Sequence, residues 1–413
     1  MGSSYMGFDQ ISESDFDELD HLFHEFLPDR EIWLFGTGNY AMSFFRFLKE
    51  CGVETEGFVV TDADRFSDGF MGKQVISRAE FRRHYEAVHS KDKIGMLLTV
   101  KSSYYGELYP ALMYLKEDLY IPKESYLRYA QEHCGEIYGG VELCFPIIDY
   151  CQGIACYGCT AGAPIAKKKI YELAEFEKDN VELYKLLGRE NVKGINFTGG
   201  DVFLHPHLAE LTELIRSLYP DIPISFSING IGLDKQKDGL WRRLGKCDVH
   251  LNWTLYPICY PDYEEVFEKI GKLGNGGLHF LVQGDSVGES KSSWYIPFDR
   301  ERKSKKYDWL FCRLHKCNHN LLIARDGTLR TCFAVRLFDN LRSRFGDEIS
   351  GAFYDAGSSR NNYKIISELR SVEEIFDFMQ KRIPLCDHCA IRKRHSLGKW
   401  EQSRGEVTEW LCK

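Results

Sequence analysis

Val141-Glu-Leu-Cys144-Phe-Pro-Ile-Ile148-Asp-Tyr-Cys151-Gln-Gly-Ile-Ala-Cys156-Tyr-Gly-Cys159 joins an apolar, strand-like run to a short loop that carries three thiols. Four thiolates close a metal site, whereas three leave one coordination position open. Three cysteines on a loop leaving a strand therefore point to an iron–sulfur cluster with one iron free to bind a ligand.

Downstream of that loop the pattern repeats. Strands are predicted at 141–149, 193–199, 222–229, 247–256 and 277–283, with helices near 169–188, 206–218, 235–244 and 261–273. Parallel strands joined by crossover helices make a partial or full (β/α) barrel, whose active groups gather at the C-terminal ends of its strands. Those ends read Asn196-Phe-Thr-Gly199-Gly200-Asp201, Ser227-Ile-Asn229-Gly230 and Asn252-Trp-Thr254-Leu-Tyr256-Pro257. Glycines let a backbone approach a ligand, and an acid pairs with an ammonium group.

Cys144 through Cys159, followed by these strand ends, resembles the radical S-adenosylmethionine (SAM) superfamily. The resemblance implies a partial six-unit (β/α) barrel. It also implies a [4Fe–4S] cluster on Cys151, Cys156 and Cys159, and SAM at the unique iron. In that family SAM is cleaved reductively to a 5′-deoxyadenosyl radical, which takes a hydrogen atom from the substrate. The gaps between these cysteines are four residues and then two, where the family usually has three and then two. Gly199-Gly200-Asp201 resembles the family's Gly-Gly-Glu motif, which contacts the SAM amino group, with a shorter acid here. Ser227 and Asn229 match the positions that contact the ribose and carboxylate, and Thr254 stands where polar groups face SAM. Tyr157 is a candidate cover for the cluster or the adenine. Cys259, just past the fourth strand, is a candidate hydrogen-atom donor to a substrate radical, with an ordinary buried thiol as the alternative.

Cysteines return beyond residue 305 as Cys317, Cys332 and Cys386-Asp-His-Cys389, with Cys312 a fifth candidate. A hairpin turning at Gly327 would bring Cys317 and Cys332 together, and the Cys-x-x-Cys knuckle would supply the other pair. This region resembles the twitch form of the SPASM extension, which implies one auxiliary [4Fe–4S] cluster. A structural zinc ion uses the same four-thiolate set and remains the alternative. Cys51, Cys134, Cys144, Cys247 and Cys412 read as buried thiols, His205 and His207 as a helix start or surface residues. Lys167 to Lys169 and Arg392-Lys-Arg394-His395 read as solvated faces.

Ahead of the barrel, Glu31-Ile-Trp-Leu-Phe-Gly36 reads as a buried strand that runs into Gly36-Thr-Gly38-Asn-Tyr-Ala41 and a helix. Further strands are predicted at 56–62 and 93–100, with Asp62 where a ribose-binding acid would sit. This is a Rossmann-type order, open to either a bound dinucleotide or a docking role. It also loosely resembles small Rossmann-like domains appended to carbohydrate-modifying enzymes. The expected organisation is thus a helical acidic segment over 1–29, a Rossmann-like domain over 30–135, the barrel over 136–304 and the cysteine-rich extension over 305–413.

The chain has 413 residues, a net charge of −8 and 44% hydrophobic content, which gives several cores and argues against a nonspecific nucleic-acid binder. No run of eighteen apolar residues and no signal peptide is read, so no membrane partner and a cytoplasmic location are expected. Bunched cysteines, among 14 in all, then read as metal or catalytic sites. Phe145-Pro-Ile-Ile-Asp-Tyr150 looks closest to a subgroup tied to glycan and cell-surface polymer pathways. The resemblance therefore implies oxidation or epimerisation of a hydroxylated small molecule such as a sugar or sugar nucleotide, with flavodoxin or ferredoxin as reductant. Modification of a ribosomally made peptide is the alternative reaction. A metal-stabilised binding protein without catalysis is the alternative class.

Overall fold

The computed structural model describes residues 11–88, 93–137, 140–256, 263–283, 296–300, 304–312, 320–393 and 400–412. Its first sheet is built from β1 (Arg30–Phe35), β2 (Gly57–Val60), β3 (Gln74–Ser77), β4 (Lys93–Leu98) and β5 (Leu119–Tyr120). The order is β3-β2-β1-β4-β5 and every pairing is parallel. Side chains alternate across a strand, so Ile32 and Leu34 enter one core while Trp33 and Phe35 enter the other. This double coverage explains the unbroken apolar run of β1. Gly36 has φ +110°, and a Cβ there would lie 2.9 Å from Val100 Cγ1, so the turn into helix Asn39–Glu50 needs glycine. Asp62 is exposed and accepts a hydrogen bond from the Asp64 backbone at 3.1 Å. The two strands beyond the predicted three, β3 and β5, are short edges with little apolar signal.

The second sheet contains the predicted barrel strands, β6 (Val141–Ile148), β7 (Val192–Gly199), β8 (Ile224–Ile228), β9 (Val249–Thr254) and β10 (Leu278–Gln283). Helices Leu173–Leu187, Leu208–Leu218, Asp238–Lys246 and Tyr263–Leu273 cross between them, and all four strand pairings are parallel. Phe197, Phe226, Leu251 and Trp253 form the core together with Phe176, Leu211, Trp241 and Ile270 of these helices. On the alternate positions Asn196, Ser227, Asn252 and Thr254 stay half-buried, so the face away from the helices is polar.

Beyond β10 lie β11 (Phe298–Asp299), β12 (Asn320–Ala324), β13 (Thr328–Arg330), β14 (Lys364–Ile365) and β15 (Leu411–Cys412). The full order of the second sheet is β10-β9-β8-β7-β6-β12-β13-β14. Among the described residues five parallel strands stand in chain order, and a further parallel strand, β12, pairs with the far side of β6, with Leu322 opposite Cys144. β12 is also the first strand of the predicted hairpin. That hairpin turns at Gly327 (φ +69°), whose N–H reaches Ala324 O at 3.0 Å. The extension is woven through the molecule: Tyr307, Trp309, Leu310 and Phe311 pack into the N-terminal core. Arg392, expected in a solvated run, instead grips Asp308 (2.6 and 2.8 Å) and Asp20 (2.6 and 3.0 Å). These acids are remote in sequence, so nothing local marks the pairing. Among the described residues no helix is long and apolar enough to cross a membrane.

Candidate functional site at the three-cysteine loop

The loop after β6 is cinched at its root. Asp149 N–H donates to Lys169 O at 3.1 Å and Tyr171 N–H to Ile147 O at 2.8 Å, so the chain returns beside the strand it left. The Gly-Gly-Asp end of β7 packs on this root. Gly200 N–H donates to Ile148 O at 2.7 Å and Asp201 N–H to Tyr150 O at 3.0 Å. A Cβ on Gly200 would fall 1.9 Å from Tyr150 O, and one on Gly199 would fall 2.3 Å from Ile148 O, which is why both are glycine. Asp201 is 3% exposed, accepts a hydrogen bond from Phe203 N–H at 3.2 Å, and is held by burial at a pKa of about 6.

The other strand ends meet the same loop. Asn229 accepts from Ile231 N–H at 2.9 Å and hydrogen-bonds the Cys151 thiol with its side chain. Gly230 (φ +81°) leaves room for Trp253, whose ring would lie 2.1 Å from a Cβ. Ser227 and Asn196 share a 3.2 Å side-chain contact across β7 and β8. Thr254 closes β9 opposite Gln283 on the polar face. Cys151 is pushed well up by burial, and the nearby Cys159, Asp201 and Cys156 push it in the same direction. Cys156, Cys159, Asp201 and Asn229 thus all lie near the Cys151 thiol.

Four features of the site are not read from the sequence. Asp149 is buried and ion-pairs with Arg325, in the hairpin turn, and with Arg336 Nη2 at 2.6 Å; Arg336 also donates to Ile148 O at 3.2 Å. Arg336 Nη1 is buried and has no hydrogen-bond partner among the described residues. Burial lowers the Arg336 pKa to about 10, while Cys159 and Cys151 act to raise it, so the guanidinium lies beside the cysteine loop. A buried cationic donor beside Cys151 and Cys159 suits an anionic occupant such as a thiolate-bound cluster. A charged residue inside the apolar run Phe333-Ala-Val-Arg336-Leu-Phe338, four residues after Cys332, is the signal that marks Arg336. The last feature is the C-terminal tail, which crosses the loop and is described below. Tyr157 borders that tail: burial and the acids Glu409, Glu401 and Glu406 push its phenol up.

Cys312, Cys332, Cys386 and Cys389 make a second group. Burial raises Cys332 well above the ordinary thiol range, and Cys312, Cys386 and Cys389 are close enough to add to it. Burial likewise pushes Cys386 up to about 12, opposed by Arg382. Cys389 N–H donates to Cys386 O at 3.2 Å, which forms the knuckle. Cys317 and Cys259 lie outside the described residues. Among the described residues, no group of three or more His, Cys, Asp and Glu side chains is drawn together tightly enough to grip a metal ion. His205 is buried and structural, bonded to Tyr171 O at 3.0 Å and accepting from His207 N–H at 3.1 Å, while Lys167 to Lys169 are exposed.

No protein-family model and no characterised relative matches the sequence. Among solved structures, BtrN in complex with AdoMet and 2-DOIA has 13% identity over 60% of this chain and 92% of its own, with a TM-score of 0.38. The anSMEcpe structure with bound AdoMet has 13% identity over 61% and 90%, with a TM-score of 0.37. Streptococcus suis SuiB bound to its precursor peptide SuiA has 11% identity over 75% and 87%, with a TM-score of 0.27. Likeness this loose bears on neither activity nor substrate.

Proposed function

We propose that this chain is a radical SAM enzyme. In this reading Cys151, Cys156 and Cys159 hold a [4Fe–4S] cluster, and the polar ends of β7 to β9 receive SAM. The observation that carries the reading is the convergence of three thiols, Asp201 and Asn229 at the C-terminal edge of parallel strands. When bound, the cluster and SAM supply a 5′-deoxyadenosyl radical that takes a hydrogen atom from the substrate. The protein's own residues bind and orient. The Asp201 carboxylate pairs with the SAM ammonium, which draws the carboxyl back toward its charged form. Ser227, Asn229 and Thr254 supply neutral polar contacts, and Tyr157 shields the loop from the tail side.

The second group, Cys332, Cys386 and Cys389 with Cys312 or Cys317, holds one auxiliary [4Fe–4S] cluster in a twitch-like extension. The first sheet is a Rossmann-like unit, a reading supported by its strand order and by the glycine at Gly36. The favoured substrate is a hydroxylated small molecule such as a sugar or sugar nucleotide, oxidised or epimerised. Cys259 is the candidate hydrogen-atom donor in the epimerising case. If Cys259→Ala kept solvent hydrogen in the product, that role would be excluded.

The test is anaerobic reconstitution with iron and sulfide, followed by SAM and a strong reductant and detection of 5′-deoxyadenosine by mass spectrometry. Release that disappears in Cys156→Ala supports the reading. Purified protein that holds zinc, and takes up no iron on reconstitution, refutes it.

A further inference from the structure

The stretch Trp400–Cys412 has no part in the reading so far, yet it lies along the three-cysteine loop. Cys156 pairs with Gln402 in an antiparallel bridge, Tyr157 N–H donates to Glu401 O at 3.0 Å, and Ser403 N–H donates to Ala155 O at 2.8 Å. Two indoles close on the loop from this tail. Trp410 Nε1–H donates to the backbone oxygen of Cys159 at 2.8 Å, whereas Trp400 Nε1–H donates to Cys156 Sγ at 3.2 Å. The tail is tied at its far end as well. β15 pairs with β11, and Glu409 accepts from Arg404 N–H at 2.8 Å and Glu406 N–H at 3.1 Å. Trp400 is therefore held in place before any ligand arrives.

We propose that Trp400 is a positioning residue that fixes the Cys156 sulfur and raises the reduction potential of the iron centre Cys156 ligates. The inference rests on the reading of the loop as a cluster site. An indole N–H is a donor only, so the bond runs in one direction and the sulfur must accept. A donor to a ligating thiolate withdraws electron density from it, which favours the reduced, more electron-rich state. The bond strengthens when the thiol becomes a thiolate, because charge-assisted hydrogen bonds are the stronger kind. Trp410, bonded to a carbonyl and not to sulfur, has no such effect and serves as the internal comparison.

The test uses Trp400→Phe, Trp400→His and Trp410→Phe in the full chain. In reconstituted protein, redox titration followed by electron paramagnetic resonance reads the midpoint potential, and the signal that changes on adding SAM marks the loop cluster. Trp400→Phe is expected to lower that potential, Trp400→His to recover part of the shift, and Trp410→Phe to leave it unchanged. In iron-free protein at neutral pH, Trp400→Phe is expected to slow alkylation of Cys156 severalfold, because the lost donor favours the reactive thiolate, read by mass spectrometry. An unchanged potential in Trp400→Phe with full iron content overturns the tuning role. Equal alkylation rates overturn the positioning role. Wild-type protein that holds no iron refutes the cluster reading instead, and the alkylation arm still decides the contact.

Discussion

Replacing Asp149 with asparagine isolates the buried charge pair at the root of the loop. The Asp149 side chain is 2% exposed, and its Oδ1 lies 2.6 Å from Arg336 Nη2, a residue whose side chain is 8% exposed. Its other oxygen meets Arg325, which is 31% exposed. Asparagine keeps the shape and part of the hydrogen bonding but no charge. Arg325 can turn to water, so its share of the loss is about 0–1 kcal/mol. Arg336 cannot, and a buried cation stripped of its partner costs about 3–5 kcal/mol. The expected loss is therefore about 4 kcal/mol, measured by urea unfolding of iron-free protein followed by circular dichroism. Arg336→Met is milder, because Asp149 keeps Arg325. The double variant Asp149→Asn with Arg336→Met is then less destabilised than the sum of the two, since the orphaned charge has gone. A loss under about 1 kcal/mol in Asp149→Asn, with an unchanged urea slope, would refute the reasoning.

Two further substitutions probe the scaffold. Gly200→Ala places a Cβ 1.9 Å from Tyr150 O, so the loop root must shift; a loss of about 3 kcal/mol and poorer iron retention are expected. A melting temperature and iron content equal to wild type would show that the glycine is incidental. At Asp20, burial raises the pKa, but hydrogen bonds from Arg392, Lys305 and Tyr307 outweigh it and hold the carboxyl well below its ordinary value. A depressed carboxyl contributes stability above its unfolded pKa of about 3.9, and that contribution is lost as the pH falls through the folded value. Wild type should therefore exceed Asp20→Asn in stability at pH 7, with the gap narrowing below about pH 4. A gap that does not change with pH between about 6 and 3 would show that Asp20 acts only as a neutral acceptor.

The parts of the molecule legible in the sequence are those fixed locally. Strands β6 to β9 are each an apolar run followed by a helix, β10 is a fifth such run, and the structure sets the five in chain order. Gly199, Gly200, Asp201 and Asn229 stand beside the cysteine loop because parallel strands gather their C-terminal ends at one edge of the sheet. The place of β12 is not legible. Its residues announce a strand and a turn at Gly327, but whether it follows β10 or docks on β6 depends on which edge the folded sheet leaves open. Arg392 fails for the same reason: Lys and Arg runs usually face water, and only the approach of Asp20 and Asp308 makes burial tolerable.

The tail shows why a short motif understates its own site. A tryptophan near a chain end reads as one more core residue, yet Trp410 links the two cysteine groups. Its indole holds Cys159 O, its carbonyl accepts from Phe298 N–H at 3.2 Å, and Phe298 forms a bridge with Cys389. The loop that would hold SAM chemistry and the knuckle that would hold a second cluster are thus two sides of one hydrogen-bonded ladder. Three thiols on a nine-residue stretch have too few contacts of their own to keep a fixed shape. Here the glycine turn of β7 clamps the root, the Asp149–Arg336 pair locks the base, and the tail closes the outer side. Each clamp comes from a segment remote in sequence, so the thiols are visible in the motif while their rigidity is a property of the fold.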